Sequence, residues 1–95
     1  MFASPFSPFA LTSQLTLKNR LIKTATYEGM VHDGLPTVTL GRHHREIAEG
    51  GVAMTTVAYC AVMPSGRTFE AQMVMEERAI KPHAALVDVI HEGGE

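Results

Sequence analysis

EGGVAMTTVAYCAV, Glu49 to Val62, decides the fold class. From Val52 to Val62 it carries no charge, holds β-branched and aromatic residues, and is apolar on both parities. A strand with one face in water alternates polar and apolar residues. One that is apolar on both parities is expected to be covered on both faces, as in parallel sheets flanked by helices. Gly50-Gly51, just before it, reads as a helix end, because glycine accepts the left-handed conformation of a C-terminal cap. Upstream, Val38, Leu40 or Gly41, His44, Ile47 and Ala48 fall near helical spacing, and Arg42, Arg45, Glu46 and Glu49 suit a solvated face. Thr37 or Thr39 is placed to cap the start of that helix, behind a loop signature at His32-Asp33-Gly34-Leu35-Pro36.

Further upstream, LKNRLIKTATYEG (Leu17–Gly29) opens on a turn at Lys18-Asn19. Leu21 and Ile22 then head a run to Ala25 that reads as the first core strand. Residues 1–16 carry Ser4-Pro5, Ser7-Pro8 and Thr12-Ser13, punctuated by Phe2, Phe6, Phe9 and Leu11. They read as an extended arm with apolar anchors, ending in a short alternating strand at Leu15-Thr16-Leu17. Downstream, Met63 to Arg67 is a loop, and Phe69 to Met75 is either a short strand or a packed loop. A second helix is expected near Lys81-Pro82, since proline is tolerated in the first turn. Its inner face would be His83, Leu86, Val87 and Ile90, and Gly93-Gly94 would end it.

Strand, helix and strand with short connections make a βαβ unit, and such units cross over right-handed. The resulting sheet has two parallel strands and open edges, which parallel sheets normally cover. The chain is therefore expected to be the N-terminal portion of a larger α/β protein.

Composition narrows the function classes. Of 95 residues, 45% are hydrophobic and 19% charged, which is ordinary for a globular domain. Net charge is −2 and the basic residues are scattered, so no nucleic-acid footprint is expected. No apolar stretch approaches the roughly 18 residues of a membrane span, and the N-terminus lacks the pattern of a signal peptide. The single cysteine, Cys60, excludes an intrachain disulfide and fits a reducing, cytoplasmic compartment. Lying in the apolar stretch with no adjacent basic residue, it is expected to be a buried, inert thiol.

Five histidines (His32, His43, His44, His83 and His91) show no metal-site spacing. His43 and His44 project about 100° apart on a helix, so the histidines are expected to lie at the surface or in helix packing. Gly50-Gly51 lacks the Lys and Ser/Thr of a phosphate loop and the spaced glycines of a dinucleotide fingerprint. The carboxyl ends of the strands remain, where α/β folds gather ligands. They are Thr24-Ala25-Thr26-Tyr27 and Val57-Ala58-Tyr59-Cys60. Small side chains there let a flat ligand approach the backbone, whose N–H and C=O groups can read a heterocycle's edge. Hydroxyls on Thr24, Thr26, Tyr27 and Tyr59 add adjustable donors. On spacing alone, simple turn chemistry is the favoured account of the same residues.

LKNRLIKTATYEG resembles the first barrel strand of the Old Yellow Enzyme family of FMN-dependent NADH:flavin oxidoreductases. GGVAMTTVAYCAVMPSGR resembles that family's second strand and following loop, and RHHREIAEGG the end of the intervening helix. The resemblance runs in register over nearly the whole chain. It implies an α/β fold: about two and a half βα units, the N-terminal part of a (β/α)8 TIM barrel with FMN at its mouth. Residues 1–95 would be one portion of a single FMN-binding barrel domain, with 1–16 as the arm and 17–95 as the first βα units. By position, the resemblance assigns flavin contacts to Thr24, Ala25, Thr26 and Tyr27, and to Tyr59 at the end of the second strand. Three positions depart from the family pattern. Relatives often carry Gly or Ala at Tyr59, so a tyrosine must turn aside; Thr or Cys is usual at Tyr27, and proline at Ala25.

The implied chemistry is ping-pong hydride transfer, in which NAD(P)H reduces FMN and FMN reduces an activated alkene or similar small-molecule acceptor. The groups that bind substrate, donate a proton and hold the flavin phosphate lie on later strands in this family, so no catalytic residue and no metal ligand is assigned here. A complete barrel needs about 250 residues, and the segment alone is expected to be inactive. The rival expectation is a small non-catalytic binding module that covers its sheet edges by self-association.

Overall fold

The computed structural model describes residues 4–66 and 72–94. The arm is a small antiparallel hairpin, β1 (Phe9–Ala10) on β2 (Thr16–Leu17), with Phe9 opposite Leu17. Next comes β3 (Ile22–Lys23), shorter than the strand expected from Leu21 to Ala25. The stretch expected to be a plain loop contains a second hairpin, β4 (Val31–His32) on β5 (Leu35–Pro36). Its turn residues Asp33 and Gly34 both have positive φ, 52° and 75°. That is the backbone of a two-residue type I′ turn, for which Asp-Gly is a favoured pair.

Helix α1 runs Val38–Glu49. Thr37 caps it, as expected, by accepting from the Leu40 N–H at 3.1 Å while its hydroxyl donates to the Met30 carbonyl at 2.5 Å. Leu40, Gly41, His44 and Ala48 are buried, which matches the expected inner stripe, but Val38 is 82% exposed. It lies in the first turn, at the open groove between this helix and the second one. At the other end the left-handed residue is Gly51 (φ 107°), while Gly50 stays helical.

The apolar stretch 52–62 is not one strand. It forms β6 (Met54–Thr55) and β7 (Cys60–Ala61), separated by a break in which Tyr59 has φ 53°. A non-glycine residue at positive φ cannot continue a strand. β6 pairs in parallel with β3, Ile22 opposite Met54 and Lys23 opposite Thr55. β7 pairs in parallel with β8 (Met73–Val74), Cys60 opposite Met73 and Ala61 opposite Val74. The ambiguous segment 69–75 is thus a strand at Met73–Val74; residues 69–71 lie outside the described ones. Here both strand residues are buried, the two-faced covering anticipated for residues 52–62.

Helix α2 runs Ile80–Gly94, entered through a 3-10 turn at Glu77–Ala79. Leu86 is buried and packs with Leu40 and Met73, flanked by Met30, Val31, Val57 and Ile90. Val87, expected on the inner face, is exposed, whereas Val89 lies opposite Gly41 of α1. The helix runs to Gly94, so the expected end at Gly93-Gly94 coincides with the last described residues, both of them helical. Gly93 marks the close approach of α2 to α1: a Cβ there would stand 2.7 Å from the Arg45 carbonyl oxygen and 2.8 Å from Arg45 Cγ.

Asn19 and Arg20 of the LKNR stretch lock the amino-terminal side of this assembly. Asn19 is buried; its amide donates to the Gly51 carbonyl at 2.6 Å, and its Oδ1 accepts from the N–H groups of Leu21 and Ala53 at 3.0 and 3.2 Å. One side chain therefore ties the starts of β3 and β6 together. Arg20 holds the arm, donating to Ser7 Oγ and the Pro8 carbonyl and lying 4.9 Å from the Phe9 ring centroid.

Two substitutions test this packing by urea unfolding of the protein. Asn19→Ala removes the partner of the Leu21 N–H and of the Gly51 carbonyl, while the Ala53 N–H keeps the Leu21 carbonyl at 3.0 Å, and is expected to cost about 2 kcal/mol. Gly93→Ala forces the two helices apart and is expected to cost about 1–3 kcal/mol. An unchanged midpoint for either contradicts the corresponding contact.

Candidate functional site

Because β3 and β6 are parallel and in register at Lys23 and Thr55, the chain leaves both strands at the same edge of the sheet. The two stretches singled out from the sequence, 24–27 and 57–60, start from that edge. Thr24, Ala25, Thr26 and Tyr27 are all exposed and belong to no regular element. Tyr59, 48% exposed, reaches across to Tyr27, 42% exposed: their rings meet edge to face, with centroids 5.6 Å apart and planes 69° apart. The structure therefore joins Tyr27 and Tyr59 directly, and Thr24, Ala25 and Thr26 reach the contact through the chain. The departure at Tyr59 also acquires a backbone correlate. Its φ of 53° is the region that glycine enters freely and tyrosine enters at a cost of about 1 kcal/mol.

Behind this edge lies a polar junction that the sequence alone did not reveal. His44, on the inner stripe of α1, has no exposed side-chain surface, and the Glu28 side chain is only 6% exposed. His44 Nε2 lies 2.6 Å from Glu28 Oε2, and Nδ1 lies 2.6 Å from Thr55 Oγ1. With Glu28 ionised, Nε2 carries the proton and donates to the carboxylate, and the Thr55 hydroxyl satisfies the other nitrogen. Three elements meet in one side chain: the segment after β3, helix α1 and strand β6. Removing one partner of such a buried pair typically costs about 3–5 kcal/mol, because the other is left uncompensated. A histidine on an otherwise apolar helix stripe was the available signal. Its partners lie 16 and 11 residues away in sequence, on other elements, and no local spacing announces them.

The other histidines differ. His43 is half-buried, with its ring edge to face against His44. His83 donates from Nδ1 to the Ala79 carbonyl at 2.8 Å, leaving Nε2 as a buried acceptor without a hydrogen-bond partner among the described residues. No group of three His, Cys, Asp or Glu among the described residues converges as metal ligands.

Cys60 corrects the expectation of a buried thiol: it is exposed, because the break at Tyr59 turns the chain outward just before β7. Partial desolvation of its sulfur still pushes the thiol above its ordinary range, so it stays protonated at neutral pH. Low reactivity at neutral pH therefore rests on this partial desolvation and not on a fully buried side chain.

Concavities lie elsewhere. A groove of about 440 Å³ runs between α1 and α2, lined by Val38, Gly41, Arg45, Pro82 and Leu86, and another of about 450 Å³ lies beside Leu17, Met54 and Ile90. Neither is lined by residues 24–27 or 59. Those residues form an open, exposed edge instead of lining either groove.

The parallel β3–α1–β6 unit places the chain in the α/β class, in which ligands gather at the carboxyl edge of the strands. Sequence comparison fixes the family: residues 4–95 match the NADH:flavin oxidoreductase / NADH oxidase family, and the chain belongs to it, a family of flavin-dependent oxidoreductases. The chain is 47% identical over 91 residues to the 4,4'-dithiodibutanoate disulfide reductase of Rhodococcus erythropolis, covering 96% of this chain and 22% of that protein. It is 33% identical over 89 residues to a Rhizobium meliloti (strain 1021) protein named "Probable N-methylproline demethylase", covering 92% and 13%. Among solved structures, 2-naphthoyl-CoA reductase in complex with 2-naphthoyl-CoA superposes on 95% of this chain with a TM-score of 0.87 at 22% identity, using 14% of its own length; this likeness concerns the fold. The chain thus spans about a fifth or less of the length of these proteins. No helix among the described residues is long and apolar enough to cross a membrane.

Cys60 offers a direct check of the outward turn. A thiol reagent is expected to label it in the folded protein, slowly at neutral pH and faster as pH rises, because only the thiolate reacts. Labelling that requires denaturant would contradict the exposure.

Proposed function

We propose that this chain supplies the first wall of an FMN site at the mouth of a (β/α)8 barrel. In this reading it comprises about two and a half of the barrel's βα units, and the whole protein is an NAD(P)H-dependent, cytoplasmic oxidoreductase. The observation that carries the reading is the shared edge: parallel pairing of Lys23 with Thr55 sends residues 24–27 and 56–59 out of the sheet together, and Tyr27 and Tyr59 touch. FMN, when bound, supplies the hydride chemistry between NAD(P)H and the acceptor.

The chain's own residues bind and orient. Thr24, Ala25 and Thr26 keep bulk away from the ring and present exposed backbone and hydroxyl groups to its polar edge. Tyr27 adds a phenol where a hydrogen bond can tune the flavin. Tyr59 sits where relatives carry a small residue; its side chain turns toward Tyr27, which leaves its backbone to face the ring. Groups that hold the substrate, donate a proton or bind the flavin phosphate are assigned to other parts of the whole protein.

The acceptor is an electron-poor small molecule. An activated alkene suits the ene-reductase pattern of the family. A linear disulfide is the second reading, favoured by the 47% identity to a disulfide reductase. Rapid mixing of the NAD(P)H-reduced protein with a cyclic enone and with a dialkyl disulfide separates the two: flavin reoxidation by only one of them assigns the acceptor class.

Flavin fluorescence tests the division of labour. The whole polypeptide is expected to bind and quench FMN, and the 95-residue segment alone is not expected to do so at micromolar concentration. Quenching by the segment alone would show that the site is already complete within it. No binding by the whole polypeptide would refute the flavin reading.

A further inference from the structure

The Glu28–His44–Thr55 junction lies behind the proposed flavin edge. We infer that Glu28 and His44 are positioning residues that fix residues 24–27 at that edge. The inference rests on the flavin reading given above and adds to it a control point that touches no cofactor.

The argument begins with what holds the edge in place. Ladder pairing of β3 ends at Lys23, and residues 24–30 belong to no regular element. Thr24 to Tyr27 are exposed, so burial does little to hold them. Glu28 is the first residue beyond them whose side chain is buried. Immediately after it, Gly29 (φ 66°) turns the chain, and a Cβ at Gly29 would lie 3.5 Å from the Tyr27 ring, so that ring lies beside the turn. The orientation of Tyr27 is thus coupled to where Glu28 is held.

Glu28 is held by an imidazole that cannot easily move. His44 is flanked one turn away on each side by buried Leu40 and Ala48, on a helix whose start is capped by Thr37. Its second nitrogen is engaged by Thr55, the residue that pairs with Lys23 across the ladder. His44 therefore measures the position of Glu28 against the level at which β3 ends. A site whose reacting groups must be placed within about 0.5 Å needs such support behind it. A side chain at position 28 too short to reach His44 would leave the edge tethered at Lys23 and released beyond it.

The experiment uses the whole protein and two readouts. The first is backbone amide exchange without flavin. Glu28→Ala is expected to raise exchange at residues 24–29 by about tenfold while α1 and β6 keep theirs, since local opening has its own free energy. Glu28→Gln, which preserves a weaker hydrogen bond to His44, is expected to fall between Glu28→Ala and the wild type. His44→Leu should resemble Glu28→Ala; if it fails to fold, the two Glu28 variants still decide. The second readout is FMN affinity, expected to weaken about tenfold in Glu28→Ala, or 1.4 kcal/mol, with partial recovery in Glu28→Gln. Unchanged exchange at 24–29, or a rise spread evenly over α1 and β6, overturns the positioning role. If the wild-type protein binds no FMN, the flavin reading fails, and the exchange pattern still decides what Glu28 and His44 do.

Discussion

The rest of the structure depends on the parallel pairing of Ile22–Lys23 with Met54–Thr55. Two residues per strand are a weak ladder by themselves. Its register is set from both ends by buried polar side chains. Asn19 bridges Leu21, Gly51 and Ala53 where the strands begin, and His44 joins Thr55 to Glu28 where they finish. Each is a buried polar group with its hydrogen bonds satisfied, and such groups tolerate little displacement because a lost partner is expensive. The helix between the strands is then determined by its cap at Thr37, its buried stripe and its contact with α2.

This arrangement separates stability from chemistry along the strand axis. Asn19 and Arg20, at the amino-terminal side, fasten the arm and the strand starts. Thr24 to Tyr27, a few residues on, are exposed and small or hydroxyl-bearing. In parallel α/β folds the carboxyl ends of strands carry function and the opposite ends carry stability. LKNRLIKTATYEG spans both ends in 13 residues, from the fastening at Asn19 and Arg20 to the edge proposed to meet the flavin.

Much of the frame was legible because it depends on local patterns. Helix α1, its threonine cap and its inner stripe follow from spacing, and the second strand follows from an uncharged apolar run. The missed features have specific physical causes. Asp33-Gly34 carried a hairpin signal, but its flanking strands are only two residues long. Tyr59 breaks the run 52–62 through a positive φ that no side-chain pattern encodes. Gly93 was read only as part of a helix end; it also admits the backbone of α1, a contact made 48 positions away in the chain at Arg45. The Glu28–His44 pair was hidden for the same reason: its partners meet only after the crossover forms. Of the candidate site, the sequence singled out 24–27 and Tyr59 separately; their meeting at Tyr27 and the buried support behind them were visible only in the structure.

The central claim is that residues 24–27 and Tyr59 form one rim of a flavin site. A crystal structure of the whole protein with FMN tests it most directly. The account predicts the isoalloxazine ring within contact distance, about 4 Å, of Thr24–Tyr27 and of the Tyr59 backbone. A ring bound away from the shared carboxyl edge of β3 and β6 would contradict it.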